Sequence, residues 1–208
     1  MYNHNPNERV GIFIDGENIH YSAKHMGVRL DYLKMCKMLA DGRRLIRAHF
    51  YTAISHESAG KIDFVNFLKL NGFTVITKEI KIGPDGEIPQ RLTKGNLDME
   101  MAIDVFEMLE GMDTVIICTG DGDYVPLVEA VARRGKHVEV CALREMTSTD
   151  LIAASDEYYD LSEIKNRIAL ENAPPPRQYD RPERDEHAPP PNVRNDRDQP
   201  LDYNSIEY

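Results

Sequence analysis

Two strongly apolar runs in this 208-residue chain end in acid: FIDGEN sets Asp15 at the end of residues 10–15, and CTGDGDY sets Asp121 and Asp123 just beyond residues 114–120. Asp-Gly pairs are common turn formers. Two such pairs, each directly after a strand-like apolar run, point further, to a shared carboxylate site. Carboxylates brought together repel one another and persist where protons or cations neutralise them. A third acid, Asp98, lies in KGNLDMEMAIDVFEML with Met101, Ala102 and Val105 following at i+3, i+4 and i+7. That spacing puts Asp98 on the stripe of an amphipathic helix that faces a core. Oxygen ligands without Cys or His beside them favour Mg²⁺ or Mn²⁺ over zinc. Asp104 lies roughly 120° further round the same helix, either supporting the site or solvated. Asn18 either orients water or phosphate or caps the first helix. Thr119 either lends its hydroxyl to metal or substrate or shapes a turn. Glu17 and Glu100 have no assigned task.

Other chemistries lack their parts. His20, His25, His49, His56 and His137 are scattered and form no set. No Ser-His-Asp order or GxSxG elbow is present, and no GxGxxG or Walker A run follows the first apolar stretch. A haloacid-dehalogenase-like phosphatase needs a second aspartate two residues after Asp15, where Glu17 stands. Cys36, Cys118 and Cys141 are far apart with no zinc-ligand spacing. They read as buried thiols of a reducing compartment, the cytoplasm. No apolar run has the roughly 18–20 residues of a membrane span, and MYNHNPNERV does not read as a secretory signal. The net charge of −10 argues against tight nucleic-acid binding and is tolerable for an enzyme whose carboxylates hold metal.

The elements that must position these acids read as an α/β fold. Strands are expected at 10–15, 44–54, 72–78, 114–120 and 137–143. Helical patterns lie between them at 17–26, 30–41, 57–71, 97–110 and 124–134, then at 148–154 and from Ser162. Together they predict a mostly parallel, five-stranded sheet with helices on both faces. In such sheets, sites form outside the carboxyl ends of the strands where the strand order reverses. If the first and fourth strands are neighbours, Asp15, Asp121 and Asp123 converge. Gly83-Pro84-Asp85-Gly86 reads as a hairpin turn flanked by Lys78, Lys81, Arg91 and Lys94. The folded domain is expected over 1–172. Residues 173–208, twice containing PPP, lack the apolar content to offset chain entropy. They are expected to be a disordered tail, either a solvated linker or, through its end Leu201–Tyr208, a segment for a protein partner.

The order FIDGEN, KGNLDMEMAIDV and TGDGDYVPLVEAVARRGKHVEV resembles the NYN domain, and within it the LabA-like branch of the PIN-like nucleases, from about Val10 to Ile164. The resemblance implies a Rossmann-like PIN fold and divalent-metal hydrolysis of RNA, which the acidic balance would make transiently held; Lys78, Lys81 and Arg91 either guide single-stranded RNA or are ordinary exposed charge. It carries the metal and catalytic roles onto Asp15, Asp98, Asp121 and Asp123, with Asn18 beside the first and a substrate-phosphate role on Lys94. The spacing from Lys94 to Asp98 is one residue longer than the family pattern, and Thr119 stands where serine is usual. A non-enzyme of the same family, a regulatory module that keeps the acidic pocket for RNA or protein interaction, is the alternative.

Overall fold

The apolar runs assemble into one six-stranded sheet. The structure, a computed structural model, describes residues 4–54, 59–79 and 97–171. The strands are β1 (Arg9–Asp15), β2 (Arg44–Ile54), β3 (Phe73–Glu79), β4 (Thr114–Cys118), β5 (His137–Ala142) and β6 (Glu157–Asp160). Their spatial order is β3-β2-β1-β4-β5-β6, and every neighbouring pair is parallel. The expected five strands are therefore six. The sixth, Glu-Tyr-Tyr-Asp, is a short edge strand, and such an edge need bury no apolar run, which is why no hydrophobic signal announced it.

Helices α1 (Gly16–His25), α2 (Tyr32–Ala40), α3 (Ala59–Leu70) and α7 (Leu161–Ile168) cover one face. On the other lie α4 (Asp98–Met108), α5 (Val125–Ala132) and α6 (Thr149–Ala154). Side chains alternate between faces along each strand. Ile12 and Ile14 of β1 join the core beneath α1 and α2 with Phe50, Ile116 and Cys118, whereas Phe13 joins Ile117, Met101, Val105 and Val128 on the opposite side. Strands buried on both faces read as unbroken apolar runs, as β1 and β4 do. Asp41, in the left-handed region at φ 41°, and Gly42, at φ 81°, close α2 as the Asp-Gly pair predicts.

A buried ion pair ties the amino ends of the sheet together. Arg43, just before β2, places Nη1 and Nη2 on the Glu139 carboxylate of β5, the second at 3.0 Å, and both side chains are fully buried. Arg43 also donates to the carbonyls of Leu39 and Ala40 at 2.7 and 3.1 Å, and to Glu8 at 3.3 Å. Buried charges persist only when paired and hydrogen-bonded in this way. The cysteines are all free and buried, as their apolar settings predict, and burial pushes the Cys36 thiol up to about 12.

Candidate metal-binding active site

Because β1 and β4 are adjacent, the strand order reverses between them. The following elements leave β1 toward β2 and β4 toward β5, and a crevice opens at the carboxyl ends of the two strands. The register pairs Ile14 with Cys118, so Asp15 and Thr119 come next on either side of the crevice. The Thr119 hydroxyl, fully buried, donates to Asp15 Oδ2 at 3.1 Å and accepts the Asp121 N–H at 3.3 Å. Asp15 caps α1 by accepting the Asn18 N–H on Oδ1 at 3.1 Å, and Asn18 Oδ1 accepts the Gly120 N–H at 3.0 Å. These bonds lace the turn after β1 to the turn after β4. Gly16 lets the turn after β1 pack closely on β2, and Gly120 lets the turn after β4 pack closely on the turn after β5. A Cβ on Gly16 would lie 2.5 Å from the Phe50 ring, and one on Gly120 would lie 2.6 Å from the Met146 carbonyl oxygen.

The 3₁₀ turn Gly122–Tyr124 carries Asp123, and its cap, Asp121, accepts the Asp123 N–H on Oδ1 at 3.0 Å. Asp98 arrives from the first turn of α4, held by the packing of Met101 and Val105 against the sheet. Asp98, Asp121 and Asp123 each offer one carboxylate oxygen, and the three oxygens lie within 4.8 Å of one another. Opposed oxygens on a single Mg²⁺ are about 4.2 Å apart, so small side-chain adjustments suffice for these to share an ion. Asp98 is half-buried, whereas Asp121 and Asp123 are exposed. Asp15 stands outside the trio but within its field. Burial pushes its carboxyl above the usual range, against the Asn18 and Thr119 hydrogen bonds, and the nearby charges of Asp98 and Glu17 push it further. An aspartate so placed gains from a cation. The donor set, all carboxylate oxygen, fits a hard divalent ion.

Several residues beside the site were not legible in the sequence. Tyr124, 3% exposed, donates its hydroxyl to Asp98 Oδ1 at 2.6 Å. Burial and the surrounding Asp98, Asp15 and Asp121 carboxylates hold that phenol firmly protonated. Its place in GDGDY marks it as part of the turn, but no sequence signal says which acid it meets. Glu17 accepts Lys61 Nζ at 2.7 Å and the Thr52 hydroxyl at 2.9 Å. Burial alone would raise the Glu17 carboxyl, but Lys61, with the Thr52 and Ala53 hydrogen bonds, holds it below the ordinary range. Asp104 accepts the Tyr51 hydroxyl at 2.7 Å, away from the trio. Lys78, at the end of β3, lies 3.6 Å from Glu100 of α4. Lys94, Lys81, Arg91, the hairpin turn and the tail all fall outside the described residues.

The NYN domain family matches residues 9–163. The low amplitude and bright protein LabA of Synechococcus elongatus is 30% identical over 171 residues, which span 81% of this chain and 91% of that protein. A crystal structure of a protein of unknown function from Vibrio parahaemolyticus superposes with a TM-score of 0.67. It is 26% identical, and the match covers 80% of this chain and 99% of that one. Among the described residues no helix is long and apolar enough to cross a membrane.

Proposed function

The chain belongs to the NYN domain family, whose members are generally nucleases, and on that premise we propose that it hydrolyses phosphodiester bonds in RNA with Mg²⁺ or Mn²⁺. The observation that carries this reading is the meeting of Asp98, Asp121 and Asp123 beside the half-buried Asp15, at the crevice between β1 and β4. Asp98, Asp121 and Asp123 would hold the ion, with Asp15 as a further ligand or as the support of a second ion. When bound, such an ion lowers the pKa of coordinated water and stabilises charge on a scissile phosphate. Thr119 spends its hydroxyl on Asp15 and Asp121, and Asn18 its Oδ1 on Gly120, which favours holding the two turns in place over direct contact with RNA. Lys94 would meet a substrate phosphate as a point charge. Residues 1–172 would form the nuclease domain of a cytoplasmic protein, and the Pro-rich residues 173–208 a tail open to a protein partner.

The net charge of −10 favours one second reading, a module that binds the cation and engages RNA weakly without cutting it. Incubating the protein with labelled single-stranded and structured RNAs in Mn²⁺, then in EDTA, separates the two. Cleavage that requires Mn²⁺ and disappears in Asp98→Asn and Asp121→Asn supports the nuclease. Calorimetric Mn²⁺ binding with every RNA left intact selects the second reading and overturns the first.

A further inference from the structure

Three carboxylates must hold a common geometry although they come from two separate parts of the chain. Asp121 and Asp123 belong to one short turn and are fixed relative to each other by the Asp123 N–H on Asp121 Oδ1. Asp98 belongs to α4, whose amino-terminal cap, Leu97, supplies no side-chain hydrogen bond. Helix packing places the Asp98 backbone, and the direction of its carboxylate is set by the groups that its side chain meets. A group that fixes that direction decides where the third ligand points.

The residue that follows Asp123 is such a group. The Tyr124 ring is buried in the core with Phe13, Leu97, Met101 and Val128, so its position is set by packing. Its hydroxyl ends 2.6 Å from Asp98 Oδ1, a short distance of the kind that charge-assisted hydrogen bonds show. One oxygen of Asp98 is thereby taken up by a rigid donor, and the carboxylate plane is held relative to the turn that carries Asp121 and Asp123. We infer that Tyr124 is a positioning residue for the cation site: its buried hydroxyl locks the Asp98 carboxylate against the Asp121–Asp123 turn. The turn therefore contributes two ligands and the anchor of the third, which couples α4 to the turn after β4. This rests on the metal-site reading proposed above.

The fold contains its own control. Tyr51 makes a matching bond from β2 to the same helix, its hydroxyl 2.7 Å from Asp104 Oδ2, and its ring is 2% exposed. Removing that hydroxyl takes an equivalent bond from α4 without touching the trio. If Tyr124 merely holds α4 in place, Tyr124→Phe and Tyr51→Phe should behave alike. If it positions Asp98, they should not.

The test is Mn²⁺ binding by calorimetry on the full chain, wild type and both Phe variants, with EDTA melting curves to confirm that each folds. Both substitutions keep the ring that fills the core. Groups that orient metal ligands change affinity by roughly 10–100-fold when lost. Tyr124→Phe should therefore weaken Mn²⁺ binding by about 10-fold, whereas Tyr51→Phe should stay within about 2-fold of wild type. Equal affinities for wild type and Tyr124→Phe would overturn the inference while leaving the metal site standing. So would equal losses in the two variants. Wild-type protein that takes up no Mn²⁺ would overturn both the inference and the reading beneath it.

Discussion

Replacing Asp123 with Asn should make the metal-free protein more stable. Asp123 is exposed, and among the described residues its carboxylate accepts no hydrogen bond and joins no ion pair. Its oxygen lies within 4.8 Å of oxygens on Asp98 and Asp121. At that separation two unit charges in a water-like dielectric repel by about 0.9 kcal/mol before screening. In roughly 10 mM salt the Debye length of about 30 Å leaves most of this, close to 0.75 kcal/mol per pair and about 1.5 for the two. One opposing effect is present: Asp123 sits just ahead of α5, where the helix start favours an anion by about 0.3–0.5 kcal/mol. The net expected gain is about 1 kcal/mol, read as a higher urea midpoint in EDTA at neutral pH. At 1 M salt the Debye length shrinks to about 3 Å, and the gain should nearly vanish. Millimolar Mn²⁺ should reverse the order, because cation binding stabilises wild type by mass action. The reasoning is refuted if the Asn variant is the less stable protein in EDTA at low salt, or if its advantage is indifferent to salt.

Two further predictions concern the scaffold. Glu139→Gln leaves the fully buried Arg43 guanidinium with Glu8 at 3.3 Å as its remaining carboxylate partner. Loss of one member of a buried pair costs about 3–5 kcal/mol; the Glu8 contact argues for the lower end, and a urea midpoint within error of wild type would show that the pair contributes nothing. Cys36, Cys118 and Cys141 are buried and should resist iodoacetamide in the native protein yet react in denaturing urea. Mass spectrometry that finds a native cysteine alkylated within minutes would contradict the packing described.

The sequence by itself marked most of the local elements and singled out the candidate acids. Continuous apolar runs mark β1 and β4 because strands buried on both faces have no polar side to show. Asp15, Asp121 and Asp123 stand out because each follows such a run, and Asp98 because its helix repeats apolar residues at i+3, i+4 and i+7. The Asp-Gly stop after α2 was equally legible, since the left-handed backbone there tolerates few residue types.

What the sequence left open depends on partners far along the chain. The adjacency of β1 and β4 joins residues about a hundred positions apart, and it was no more than a condition until the sheet order met it. The edge strand β6 carries four half-buried residues and therefore no periodic signal. Thr119 reaches Asp15 across 104 positions, Arg43 reaches Glu139 across 96, and Tyr51 reaches Asp104 across 53. Even Tyr124, 26 positions from Asp98, finds its acceptor only because α4 and the turn after β4 pack on the same face of the sheet. A hydroxyl or guanidinium advertises that it needs a partner, but such a donor can donate to any acceptor that packing brings within about 3 Å. Tertiary packing alone selects which one.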